Sequence, residues 1–194
     1  MRGKRSFKTF KSLFLIMLVV ALVGLSVAYA LLSTTLSITG STSVSASSWK
    51  IRFSNLNGSS VGGATYTLPT LSDTSLSDYE IILTKPGDSV TFTFDIVNDG
   101  TIGASITSFV KDTPSCSGVA GSTTGSSDST LVCNNITYSF TYSDGSAIGV
   151  GDTLSSGETK SVKLSLTYNE SAASLPSNDV AISNLGITII YGQV

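Results

Sequence analysis

The chain has no histidine in its 194 residues, which narrows the chemistry open to it. Without histidine there are no Ser–His or Cys–His nucleophile pairs, no histidine-ligated zinc, and none of the commonest general base. Its many serines therefore lack that activating base. Ser108 and Lys111, in SFVK, have SxxK spacing, but that pair works from one turn of a helix. The residues around them alternate as a strand does. Two carboxylates could still run glycoside hydrolysis. Asp88, Asp99, Asp144 and Asp152, however, all adjoin a glycine, a setting in which Asp forms turns by bonding nearby backbone. Asp73, Asp78 and Glu80 lie close together in SDTSLSDYE and could contribute to a calcium site, although the EF-hand spacing is missing. The glycine-rich stretches lack the GxxxxGK[ST] or GxGxxG context that cradles phosphate. The expectation is a protein without catalytic, cofactor-binding or metal-ligating residues, and not an enzyme.

Cys116 and Cys133 are the only cysteines, and they bracket CSGVAGSTTGSSDSTLVC. Their spacing does not fit a CxxC redox site, and a zinc site would lack its other ligands. In an exported chain the simplest reading is a disulfide, with two unpaired thiols as the alternative. Closing a loop of that length would stabilise by about 3 kcal/mol. The segment between them, rich in Gly, Ser and Thr, reads as an exposed loop or arm.

These residues must be carried by β-structure. In SVTFTFDIVNDG, Val90, Phe92, Phe94 and Ile96 share one face, with Thr91, Thr93 and Asp95 on the other. Ile136, Tyr138, Phe140 and Tyr142 repeat the pattern, as do Val162, Leu164, Leu166 and Tyr168, and then Leu185, Ile187, Ile189 and Tyr191. Period two with one apolar face predicts antiparallel strands wetted on one side. Weaker strands are TTLSITG, SWKIRFSNL, ATYTL, YEIILT and ASITSFV. Turn signals KPGD, NDGT, SDGS and SSGE separate the runs. The fold class expected is all-β: an antiparallel sandwich, jelly-roll or immunoglobulin-like, of eight to ten short strands without a helix. Trp49 and the tyrosines are expected to pack its core.

The N-terminus reads as an address. MRGKRSFKTFK is basic, and an apolar run follows. Leu13 to Leu25 is thirteen residues, a signal-peptide length, whereas Leu13 to Leu32 is twenty, enough to span a bilayer. Ala28 and Ala30 supply the small residues a signal peptidase reads. Cleavage after Ala30 is the favoured reading, and an uncleaved anchor through residues 13–32, N-terminus cytoplasmic, is the other. Either places residues 31–194 outside as a single domain. From residue 31 onward only Lys50, Arg52, Lys85, Lys111, Lys160 and Lys163 are basic, against all 13 acids. That sparse acidic body offers nothing to neutralise phosphates, so no nucleic-acid partner is expected.

TLSITGSTSVSASSWKIRFSNL, KPGDSVTFTFDIVNDGTIGASITSF and NLGITIIYGQ together resemble the TasA/camelysin group of exported bacterial biofilm-matrix proteins. The likeness is closest over Leu83–Phe109, and the Cys-closed insertion is outside the pattern. The resemblance implies an extracellular sandwich, a dedicated signal peptidase, and fibres made by donating a freed N-terminal strand to the next subunit. The metalloprotease activity described for some members does not carry over, since the chain has no HExxH. Independently of the resemblance, Leu32, Leu36, Ile38 and Val44 share a period-two face. A free segment of that kind pairs with its own sheet or with a neighbour's edge. The expected function is a non-enzymatic surface or matrix protein, structural or adhesive. Its partners would be itself or other matrix and surface components. The alternatives are a membrane-anchored binding module displaying the 116–133 loop and, remotely, a carboxylate-only enzyme.

Overall fold

The computed structural model describes residues 6–32, 39–172 and 174–194. The chain separates into two units, 1–45 and 46–194. In the first, helix α1 (Ser6–Leu32) is 27 residues long, about 40 Å at the usual rise. Its stretch Phe10–Val27 has a mean hydropathy of 2.4 and no buried residues, so it is long and apolar enough to cross a membrane. Ser26 donates its hydroxyl to the carbonyls of Leu22 and Val23, each at 2.9 Å. The helix therefore satisfies its own polar group, as lipid requires.

The second unit is built from β1 (Ile51–Val61), β2 (Thr65–Tyr66), β3 (Thr70–Leu71), β4 (Leu76–Ser77), β5 (Ile81–Ile82), β6 (Ser89–Asn98), β7 (Ala104–Lys111) and β8 (Ser115–Gly118). Helix α2 (Gly125–Asn135) follows, then β9 (Ile136–Tyr142), β10 (Thr153–Leu154), β11 (Thr159–Tyr168), β12 (Val180–Ser183) and β13 (Ile187–Gln193). Four strands pair in the order β1-β6-β11-β9 and face a three-stranded sheet, β10-β7-β13. The pairs are antiparallel. This is the expected all-β sandwich with an apolar helix ahead of it.

Alternation makes the core. Val90, Phe92, Phe94 and Ile96 are at most 5% exposed, and Val162, Leu164 and Leu166 lie beside them on β11. Each such side chain stabilises by about 1.5–3 kcal/mol when buried. The layers meet at Phe109 and Phe140, whose rings stack with centroids 6.3 Å apart. On β7 the parity breaks: Tyr191 lies opposite Ile106 but Ile190 opposite Ser108, leaving Thr107 unpaired as a bulge. The extra residue lets Ile106 and Phe109 both face inward.

Sequence parity also carries Asn98 inward, where it is wholly buried. Its amide donates to the Ile102 and Leu154 carbonyls at 2.8 and 3.1 Å and accepts from the Gly100 N–H at 2.9 Å. One side chain thereby fixes the turn leaving β6 and the end of β10.

Four expectations need correction. The 116–133 segment is not a bare loop and the domain is not free of helix, because α2 takes up the second half of that segment from Gly125 onward. Trp49 is 40% exposed rather than packed in the core. Leu32, placed on the period-two face of a free segment, is the last residue of α1.

Candidate functional site

The three-stranded sheet is one strand narrower than the sheet it covers. Beyond β13 a cleft of about 300 Å³ opens between the layers. Its floor is Phe53, Phe94, Phe140 and Leu164, and one wall is Leu185, Ile187 and Ile189 of the β13 segment. Across from them stand Thr74, Ser75, Leu76 and Tyr79. The floor is apolar and aromatic, while Thr74, Ser75, Thr188 and the tyrosines Tyr79 and Tyr138 add polar groups to the lining. Phe53 meets Phe94 edge-on at 5.3 Å, and Phe94 stacks on Phe140 at 6.0 Å.

The free edge of β13 runs along this cleft. Asp112 donates its N–H to the Gly186 carbonyl at 2.9 Å. Antiparallel pairing alternates, so Thr188 and Ile190 turn their backbone groups toward β7, while Ile187 and Ile189 turn theirs away. Among the described residues β13 pairs with β7 alone. The Leu185 carbonyl, next in the outward series, accepts from the Tyr138 hydroxyl at 2.6 Å and the Tyr79 hydroxyl at 3.5 Å. Burial pushes both phenols above their usual pKa, so they remain protonated donors. Lys111 donates to the Tyr138 carbonyl at 2.9 Å. An apolar trough beside an unpaired strand edge can take one more strand, with its backbone on β13 and alternate side chains in the cleft.

The sequence-marked residues fall as follows. Cys116 and Cys133 form a disulfide, Cα atoms 5.8 Å apart, joining β8 to α2. β12 pairs with β8, from Val180 opposite Gly118 to Ser183 opposite Ser115. β8 and α2 touch backbone to backbone: a Cβ on Gly118 would lie 2.2 Å from the Gly125 carbonyl oxygen. Asp128 is buried in the first turn of α2. It accepts from the N–H of Ser177 at 2.9 Å, from Asn178 N–H at 3.2 Å, and from the Thr124 hydroxyl at 2.9 Å. Led by the Ser177 N–H, these bonds hold its carboxyl below the usual range. The polar composition hid this small stapled module; a signal lay in the helical spacing of Asp128, Leu131 and Val132.

Ala28 and Ala30 lie within α1. Of the donor face, Leu32 ends α1, Leu36 and Ile38 lie outside the described residues, and Val44 is 96% exposed in a stretch without secondary structure. Ser108 and Lys111 sit on β7, and the lysine serves the Tyr138 carbonyl. Asp144 caps its own turn, accepting from the Ser146 N–H at 2.8 Å. Asp99 does more than turn the chain, since it is hydrogen-bonded to the Arg52 guanidinium. That bond leads in holding the Asp99 carboxyl below its usual range. Among the described residues no three of His, Cys, Asp and Glu gather where a metal could bind, Asp73, Asp78 and Glu80 included.

Comparison with family models, with curated proteins and with solved structures returns no match.

Proposed function

We propose that the chain is an exported, non-enzymatic surface or matrix protein whose sandwich accepts a strand from a second copy of itself. The observation that supports this is the free edge of β13 beside the cleft floored by Phe53, Phe94, Phe140 and Leu164. Edge strands with an apolar flank are otherwise a liability that folds cover. The segment from Leu31 to Val44 offers the matching chemistry, with Leu32, Leu36, Ile38 and Val44 on one period-two face. Cleavage after Ala30 by a signal peptidase frees that segment, whereas without cleavage α1 leashes it to the membrane. The disulfide fits the oxidising exterior. The TasA/camelysin likeness agrees with this mode of assembly.

The test compares the cleaved form, Leu31–Val194, with the same chain lacking Leu31–Ile38, by light scattering and electron microscopy. The first elongates and the second stays monomeric. Monomers of unchanged size from both would sink the proposal.

A second reading, a tethered module that displays its Cys-closed segment, is favoured by α2. Its outward residues Ser126, Ser127, Thr130 and Asn134 are exposed and polar, and the disulfide holds them in place. That reading requires an intact N-terminus in the membrane fraction, which N-terminal sequencing of the recovered protein decides.

A further inference from the structure

The cleft is bounded on one side by a segment that belongs to neither main sheet. β3 and β4 are two residues each and, among the described residues, pair only with one another. Their turn is closed from within: Ser72 donates its N–H to the Ser75 carbonyl at 2.9 Å, and Ser75 donates its own to the Ser72 hydroxyl at 3.0 Å. The tip can therefore move as a unit without stranding its own backbone groups. Tyr79, at its base, meets Phe92 edge-on at 5.5 Å and donates its hydroxyl to the Leu185 carbonyl at 3.5 Å, but the tip beyond it is tied to the sandwich by little. Phe53 donates its N–H to the Asp73 carbonyl at 2.8 Å, on the side of β1 away from β6. Leu76 and Tyr79 are its half-buried side chains on the cleft, while residues 72–75, 77 and 78 are exposed. Below the tip, the stem is firmer. Thr67 donates to the Glu80 carbonyl at 3.0 Å, and β2 pairs with β5, Tyr66 opposite Ile81. Tyr66 meets Phe92 edge-on at 5.4 Å. Between stem and tip, Asp78 has φ 58°, in the left-handed region. A residue there marks a bend where the chain changes direction.

We infer that residues 70–79 form a strap that fills part of the missing strand's place in the single subunit, and that a strand entering beside β13 displaces it. This rests on the strand-acceptor reading above and adds its regulation. Leu76 and Tyr79 reach into the space over Phe53 and Phe94 from the β1 side, where the alternate side chains of an added strand have to go. Short isolated strands held by few buried contacts are the part of a fold that opens at least cost. The strap keeps the apolar floor partly covered until a strand of sufficient apolarity competes for it, which restrains capture of unrelated extended chains.

The test is hydrogen exchange on the full chain in detergent micelles, with and without a synthetic peptide of residues 31–44. The amides of Ile187 and Ile189 are expected to slow as the peptide pairs with them, and the amide of Phe53 to exchange faster as Asp73 leaves it. Leu76→Ser, which loosens the strap and leaves β13 intact, is expected to take up the peptide several-fold faster. Protection at Ile187 and Ile189 with Phe53 unchanged, or an unaltered uptake rate in Leu76→Ser, overturns the strap and leaves the acceptor standing. No protection at Ile187 and Ile189 overturns both.

Discussion

Asp88 accepts the N–H of Gly63 at 2.8 Å, across 25 residues of sequence. The same carboxylate takes the Thr84 N–H at 2.8 Å, the Thr84 hydroxyl at 2.7 Å and the Lys85 N–H at 3.1 Å. It is wholly buried. Gly63 follows Gly62, whose φ of +75° and position against Asp88 Oδ1 leave no room for a side chain. The entrance to β6 and the exit from β1 are therefore locked to one another.

Burial alone would raise the Asp88 pKa, but the four hydrogen bonds outweigh it and bring the group down to about 2. A depressed folded pKa stabilises above the unfolded value near 3.9, and that contribution is lost as pH falls toward 2. Asp88→Ala leaves its donors unpaired and is expected to cost about 2–4 kcal/mol near neutral pH. The gap between variant and parent narrows from pH 4 down to pH 2. Denaturant titrations at both ends of that window measure it.

Reducing the disulfide, or Cys116→Ser with Cys133→Ser, is expected to cost about 3 kcal/mol by loop-closure entropy. The loss is local. Amides of β8, α2 and β12 gain exchange, while β6 and β11 keep their protection; exchange measured on both forms separates the two regions.

Ile189→Pro removes an N–H that points away from β7. Proline is tolerated on an edge when the lost donor is not in use. The expected outcome is a chain with unchanged far-ultraviolet circular dichroism that no longer supports elongation. Thr188→Pro, whose N–H faces β7, is expected to unfold at lower temperature.

Residues 39–50 are exposed and without secondary structure, and among the described residues their first long-range ties come at Ser48, which donates its N–H to the Thr101 hydroxyl at 2.8 Å. Exposed segments with few backbone bonds are nicked first. Limited proteolysis with an elastase-like enzyme is expected to cut first between residues 39 and 47, read by N-terminal sequencing of the resistant fragment.

The long strands were legible because a period-two apolar face has few other uses: β6, β9 and β11 bury the residues that alternation selects. Asn98 continues the inward series Val90 to Ile96 by parity, although its polar side chain does not announce burial. What stayed hidden depends on distant partners. The bulge at Thr107 shifts parity through pairing with β13, which local sequence does not reveal. Asp88 looks like an ordinary turn former, and nothing in KPGD announces Gly63. Helix α2 has a composition that favours loops; it is held by Cys116, Ser177 and Asn178, which lie outside it. The cleft is the least legible of all, because it arises from a difference in strand number between two sheets. Its floor residues read only as core, and its Thr74–Tyr79 side reads only as part of a polar, acid-bearing stretch.

The two ends of the sandwich also have a mechanical meaning. β1 is the first strand to feel any pull arriving along the N-terminal segment, and it lies against β6 from Ile51 opposite Asn98 to Val61 opposite Ser89. Tension along its axis loads those hydrogen bonds side by side rather than one after another. A pull at the C-terminal end draws β13 lengthwise along β7 in the same way, from Gln193 opposite Ala104 to Ile187 opposite Lys111. The two handles belong to different sheets, whose inner faces meet in the aromatic layer of Phe94, Phe140 and Phe109. A domain loaded in this way meets shear, not peeling, at both of its ends.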